Sequence, residues 1–197
     1  LRHRWRWIVP ALVVFVLAQF VWSLMTTPNY RWDVFADYFF DRAVLDGLVL
    51  TLELTAVSII GGFLLGGVLA VFRLSASPVL NAVAAGYVWF FRSVPILVQI
   101  LIWYNLALVF PTVGIPGIGE ERVIVGMTPF LATLLGLGLH QSAYTAEIVR
   151  GGILSVDRGQ TEAAHSLGIG GGALFRRIVL PQAMRVIIPP LGNEVIS

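Results

Sequence analysis

The sequence predicts an all-α, polytopic transmembrane helix bundle, and three observations carry that prediction. Its 197 residues are 57% hydrophobic and only 12% charged, with a mean hydropathy of +0.85, against about 25% charged residues in ordinary soluble domains. The apolar residues gather into stretches long enough to cross a bilayer, which takes about 20 residues of helix. Between two such stretches lies a polar, helix-forming island, Gly151 to Gly168 followed by Arg176 and Arg177. In lipid its charges and hydroxyls would lose water without gaining enough partners. Spans and short loops exhaust the 197 residues, so one membrane domain is expected and a separate soluble domain has no room.

Composition also excludes several activities. The chain has no cysteine, hence no disulfide, thiolate metal site or thiol nucleophile, and no lysine, so all thirteen basic residues are arginines. A P-loop needs its lysine on the nucleotide phosphates, so these residues hold no standard Walker A site. No Gly-x-Ser-x-Gly elbow or His-Glu-x-x-His zinc motif occurs, and the histidines are scattered at 3, 140 and 165. The arginines form no nucleic-acid patch despite a pI of about 9.4. Neither catalysis, a resident metal or cofactor, nor nucleic-acid binding is expected.

The elements follow in chain order. Trp7 to Met25 is almost wholly apolar, about 28 Å of helix, and is preceded by Arg2, Arg4 and Arg6. It exceeds a signal peptide's apolar core and lacks an Ala-x-Ala site, so a retained span is predicted. Thr26 to Asp46, with Pro28, several aromatics and Asp33, Asp37, Asp41 and Asp46, reads as an external loop with an interfacial amphipathic piece. Gly47 to Arg73 is the second span, and its Gly62-x-x-x-Gly66 pattern permits close helix packing, within the subunit rather than across a dimer. Leu74 to Phe91 is predicted to lie along the inner face. Phe91-Arg-Ser-Val-Pro95 opens a third span reaching about Phe110, with proline tolerated near a helix start. Pro111 to Arg122 is an external loop, Val123 to about Gly152 a fourth apolar stretch that turns polar at His140, and Ile178 onward a fifth span.

Arginine placement sets the expected orientation. With the N-terminus inside, Arg2, Arg4, Arg6, Arg73, Arg92, Arg150, Arg158, Arg176, Arg177 and Arg185 fall on the cytoplasmic side and Arg31, Arg42 and Arg122 outside. That imbalance satisfies the positive-inside rule and puts the polar island in the cytoplasm. There Ser155 or Asp157 can cap a helix with body Arg158 to Leu167, and Gly168 suits the left-handed residue that ends it. Two turns are too short for stability alone in water, so a partner's groove would order them. Ala163 and Ala164 would permit close approach and Glu162 would offer charged contacts.

A second candidate is the polar cluster in the fourth stretch, His140, Gln141, Ser142, Tyr144 and Glu147. Ionisable groups at membrane depth face a bundle interior or a watery cavity and mark substrate paths. Positions 140, 144 and 147 share one helical face, which points imidazole, phenol and carboxylate in one direction. The plainer alternatives are an internally satisfied His140 and a Glu147 paired with Arg150 or Arg92. Gln99 is a further path candidate, as are Glu53, Asn105, Asn193 and Glu194.

Glu162-Ala-Ala-x-x-x-Gly168, followed by Ile178-x-Leu180-Pro181, resembles the EAA-loop signature of ABC-importer permeases. More narrowly, Phe91-Arg-Ser-Val-Pro-Ile-Leu-Val-Gln99, Ser142-Ala-Tyr-Thr-Ala-Glu-Ile-Val-Arg-Gly-Gly152 and Leu180-Pro-Gln-Ala-x-Arg-x-x-x-Pro-Pro-Leu-Gly-Asn-Glu194 are similar to the polar amino-acid permeases. The resemblance implies a type I (MetI-like) permease core over residues 47–197, with a cytoplasmic coupling loop at about 155–178. Residues 1–46 then form an additional N-terminal transmembrane helix and external loop. It further implies that Glu162, Ala163, Ala164, Leu167 and Gly168 engage a separate ABC ATPase subunit, which would hold ATP and Mg. A second permease subunit, identical or similar, an extracytoplasmic solute-binding protein, an amino-acid substrate and membrane lipid are the other implied partners.

Two departures from the family pattern stand out. Gly170-Gly171-Gly172 replaces a bulky residue after the docking helix, and family members continue past Glu194 into another helix, so the chain is expected to be incomplete at its C-terminus. The expected location is the bacterial inner membrane, multi-pass, with the N-terminus cytoplasmic. Two rivals remain: a secondary transporter driven by an ion gradient through Glu53, Glu147 or Glu194, and a membrane assembly subunit without a pore.

Overall fold

The computed structural model describes residues 7–109, 112–115, 119–122 and 127–196. Arg2, Arg4 and Arg6, the start of the fourth apolar stretch at 123–126 and part of the glycine-rich external loop lie outside the described residues. The chain divides into two compact units, Leu1–Leu50 and Thr51–Ser197.

In the first unit α1 spans Ile8–Thr26 and has no buried residue. Its apolar surface runs all round the circumference, as a lipid-facing span requires. The predicted interfacial piece is a short helix, α2, Trp32–Phe39. Trp32, Phe35 and Phe39 form an aromatic row along it, with centroids 5.8 Å and 5.3 Å apart. Asp33 and Asp37, one turn apart, share a face offset from that row. The Trp32 indole donates to the Leu24 carbonyl at 2.7 Å, tying α2 to the last turn of α1. Interfacial tryptophans are amphipathic in this way, apolar ring with one polar edge.

The helix α3, Arg42–Leu74, starts five residues before the predicted Gly47. Asp41 supplies the reason: its carboxylate accepts from the Ala43 N–H at 2.8 Å and caps the helix start, so Asp46 lies inside it. Pro78 at the first position and the Ser77 hydroxyl begin α4, Pro78–Ser93.

The third span differs from expectation. The backbone breaks at Val94 and Pro95, turns through 102°, and continues as α5, Ile96–Tyr104, only nine residues long. Nine residues reach about 13 Å, less than half the hydrocarbon thickness. Only α4 and α5 together make a broken span or a re-entrant pair. A four-residue helix α6, Leu106–Val109, follows. The external loop contains an antiparallel ladder of β1, Thr112–Ile115, with β2, Gly119–Arg122.

Thr128 caps α7, Pro129–Leu154, accepting from the Leu131 N–H. The island follows as α8, Arg158–Ser166, and a one-turn α9, Gly171–Leu174. A π-helical turn at Phe175–Val179 leads into α10, Leu180–Ile196. Among the described residues α1 and α3 alone are long and apolar enough to cross a membrane singly. The fourth and fifth predicted spans form helices but miss that standard, α7 because it turns polar from His140 onward and α10 through its 17-residue length.

The core of the second unit is built on α7. Its Ala132, Gly136, Ser142, Ala143, Thr145, Ala146 and Gly152 are buried, facing Ala84 and Val88 of α4, Ala183 and Ile187 of α10, and Ser58, Gly62 and Gly66 of α3. In lipid, where no hydrophobic effect pulls helices together, such small residues let backbones approach and gain dispersion contacts. A Cβ on Gly62 would stand 2.7 Å from the Gln141 side chain, and one on Gly66 would stand 2.7 Å from the Ser142 carbonyl and 2.5 Å from Thr145. Gly62-x-x-x-Gly66 therefore packs within the subunit, as expected. Gly61 and Gly67 meet nothing within 4 Å.

The steric asymmetry yields a test. Gly66→Ala is expected to destabilise the reconstituted protein by about 1–3 kcal/mol, the usual cost of overpacking. Gly67→Ala is expected to leave Tm unchanged, and equal Tm values for the two variants would remove the packing assignment.

Candidate functional site

One helix carries the chemistry. On α7, His140 and Tyr144 are one turn apart, and their rings meet at 4.9 Å between centroids, tilted by 38°. The Arg92 guanidinium, near the end of α4, lies 4.9 Å from the Tyr144 ring centroid, within cation–π range. His140 and Tyr144 border a cavity of about 490 Å³, the size of a small-molecule site.

The cavity wall is mixed. Ile59, Ile96 and Leu137 contribute apolar surface, while Thr55, Ser58, His140, Gln141, Tyr144 and Glu194 bring hydroxyl, imidazole, amide, phenol and carboxylate groups. The Ser58 hydroxyl and the Gln141 amide nitrogen are buried with no partner among the described residues. Leaving such groups unmade costs roughly 1–3 kcal/mol each. Glu194 acts electrostatically on the His140 ring.

Gln99 does not line the cavity. It is buried, and its amide nitrogen donates to the carbonyls of Phe91 at 2.8 Å and Val94 at 2.7 Å. The same nitrogen stands 3.0 Å from His140 Nδ1. Its place is behind the site, as a brace between the α4–α5 break and α7.

Glu147 is also absent from the cavity wall. Its carboxylate accepts three bonds from Arg150, Nε to Oε1 at 3.2 Å and Nε and Nη2 to Oε2 at 3.0 and 2.8 Å, and a fourth from Arg73 Nε at 3.3 Å. Arg73 in turn donates to Asn81 at 2.7 Å, and Asn81 donates back to the Arg73 carbonyl. The glutamate thus joins α3, α4 and α7 in one ionic knot. Of the two pairings the sequence offered, Arg150 forms, whereas Arg92 lies against Tyr144 and Arg73 takes its place. Although 147 shares the face of 140 and 144 by spacing, charge pairing decides where its carboxylate goes.

Among the other path candidates, Glu53 and Asn193 are exposed, and the Asn105 amide bonds back to the Leu101 carbonyl. Tyr87 is a residue that sequence reasoning passed over. Its hydroxyl lies 2.8 Å from the Ser142 hydroxyl and donates to the Leu139 carbonyl at 3.2 Å, binding α4 to α7 beside the site. A lone tyrosine in an apolar helix gives no sequence signal for such a bond.

The island has the predicted caps. The Asp157 carboxylate accepts from the Gly159 N–H at 2.6 Å, while Ser155 instead bonds the Gly152 carbonyl and closes α7. Gly168 stops α8 at φ +70°, and the bond from Ile169 N–H to the Ala164 carbonyl wraps the helix end. Glu162, Ala163 and Gly168 are exposed, and Leu167 is 79% exposed. Ala164 differs from expectation: at 2% exposure its methyl is buried in the chain's own interior, so it offers no docking surface.

Residues 58–197 match the family described as binding-protein-dependent transport system inner membrane component. The arginine transport system permease protein ArgU of Corynebacterium glutamicum is 43% identical over all of this chain and 62% of its own length. The L-cystine transport system permease protein TcyL of Bacillus subtilis is 42% identical over 76% of the chain and 60% of its own. A crystal structure of an amino acid ABC transporter with histidines superimposes with a TM-score of 0.64 at 38% identity, over 77% of this chain and 65% of that one. The chain thus spans about three-fifths of the length of the curated relatives it matches. With more than two-thirds of its residues inside the matched domain, the chain belongs to the family of binding-protein-dependent transport system inner membrane components.

Proposed function

We propose that this chain is the transmembrane permease subunit of an ATP-driven importer that moves polar amino acids across the bacterial inner membrane. The observation that carries the reading is the continuity of α7, which bears the polar cavity wall at 137–144 and runs unbroken to Leu154, just before the exposed, capped α8. A push on α8 would be transmitted to the cavity along about 20 Å of stiff helix.

The relatives support the solute class. Proteins named for arginine and L-cystine transport and for glutamate/aspartate import differ in side-chain charge, and their solutes share an α-ammonium and an α-carboxylate. The cavity suits that common head, with hydroxyl and amide donors for a carboxylate and imidazole and Glu194 as acceptors for an ammonium. His140, Gln141 and Tyr144 are assigned to the path; Gln99 and Glu147 support it from behind and below.

Coupling is assigned to Glu162, Ala163, Leu167 and Gly168, offered to an ABC ATPase subunit that holds ATP and Mg. The positive-inside distribution supports a cytoplasmic N-terminus and a cytoplasmic α8. A second permease subunit would complete the pathway, and an extracytoplasmic binding protein would deliver the solute. ATP-driven closure of the ATPases then favours one of two packings of the bundle, alternating access to the cavity.

Three outcomes are expected. Glu162→Arg in the complete transporter should uncouple solute-stimulated ATP hydrolysis from uptake, and unaltered assembly together with unaltered stimulation would refute the docking assignment. His140→Ala in reconstituted vesicles should weaken apparent solute affinity about tenfold, the worth of roughly one hydrogen bond; uptake that tracks ionophore addition rather than ATP would instead move the protein to the ion-gradient class. Glu147→Ala, which strands two partly buried arginines, should lower stability by on the order of 2 kcal/mol while leaving solute affinity within twofold. Thermal melts read beside binding curves separate the two effects.

A further inference from the structure

The break between α4 and α5 sets up a specific problem in hydrogen bonding. In a continuous helix the Phe91 carbonyl would accept from residue 95, but Pro95 has no N–H. The Gln99 side chain supplies the missing donor: one amide hydrogen goes to Phe91 at 2.8 Å and the other to Val94 at 2.7 Å. The orientation of the amide is settled by these partners, since the flipped form would set its oxygen against two carbonyl oxygens.

Both hydrogens of that nitrogen are thereby engaged, yet His140 Nδ1 stands 3.0 Å from it. An amide nitrogen is no acceptor, and a third hydrogen does not exist. The favourable arrangement for Nδ1 is therefore to carry its own proton and donate it to the Phe91 carbonyl, which the ring also reaches and which has a second lone pair. The opposing pull comes from Glu194, whose carboxylate shares the cavity and favours a proton on Nε2. That form would place the Nδ1 lone pair against the Phe91 carbonyl oxygen with no donor between them, in a site where Gln99 is 2% exposed and water does not compete.

We propose that Gln99 is a positioning residue that substitutes for the N–H absent from Pro95 and thereby holds His140 as the Nδ1–H tautomer, leaving Nε2 as a lone-pair acceptor toward the cavity. With Glu194 this makes one end of the cavity an acceptor pair, suited to an ammonium group and hostile to a carboxylate. Specificity for the orientation of the solute is then written in an amide one helix away from it. The inference about the solute rests on the cavity being the transport path; the tautomer does not.

The test uses the assembled transporter in nanodiscs, with ¹⁵N-histidine in the permease and His3→Gln and His165→Gln leaving His140 as the single histidine of residues 1–197. At mildly alkaline pH the expected spectrum has a protonated Nδ1 and an unprotonated Nε2. Gln99→Leu is expected to shift the ring toward Nε2–H and to weaken apparent amino-acid affinity about tenfold. A wild-type spectrum dominated by Nε2–H, or one unchanged by Gln99→Leu, overturns the proposal. Should Gln99→Leu fail to assemble, the wild-type spectrum alone decides. A correct tautomer combined with unaltered solute affinity in both Gln99→Leu and His140→Ala would instead count against the cavity as the path.

Discussion

The close approach of helices to α7 is the constraint on which the rest of the second unit depends. A lipid-embedded bundle gains nothing from apolar burial between helices, so contact must come from dispersion and hydrogen bonding at short range. Gly62 and Gly66 bring α3 against Gln141 and Thr145, Gly136 accepts Ile100 of α5, and Gly152 accepts Ile187 of α10. Because each contact is backbone-close, α7 behaves as a rigid post. The same post carries the cavity residues and ends just before the exposed α8.

Polar side chains are then sorted by what can satisfy them. Glu147 gathers Arg73 and Arg150, each side chain less than a third exposed, and neutralises charges that would be costly to leave alone there. Tyr87 and Ser142 close a neutral bond between α4 and α7. Gln99 repairs the carbonyls freed at the Val94–Pro95 break. Four buried polar atoms find no partner among the described residues: the Ser58 hydroxyl and the Gln141 amide nitrogen, on residues that line the cavity, and the Gln99 amide oxygen and the Thr145 hydroxyl, on residues that do not.

The broken helix is the least regular feature and the most consequential. A straight helix over 78–104 would still leave the Phe91 carbonyl without a donor, because Pro95 has no N–H. The 102° turn brings Ile96 to the cavity wall and Arg92 to the Tyr144 ring. Irregular backbone at membrane depth is tolerated only where protein or a watery cavity meets its polar groups, and here a side chain does so.

The sequence by itself determined what depends on neighbours in the chain. Runs of apolar residues specify α1 and α3, Asp157 and Gly168 specify the ends of α8 through local cap geometry, and i, i+4 spacing joins His140 to Tyr144. The family, too, was legible, because its motifs are linear strings. Only the tertiary structure decided which of several available partners each polar group takes. Arg73 rather than Arg92 meets Glu147, Ala164 turns inward, Gln99 braces instead of lining, and the third span bends because a carbonyl left by Pro95 finds an amide four residues on. Those choices turn on distances between helices, and spacing along one helix contains no record of how close the next one comes.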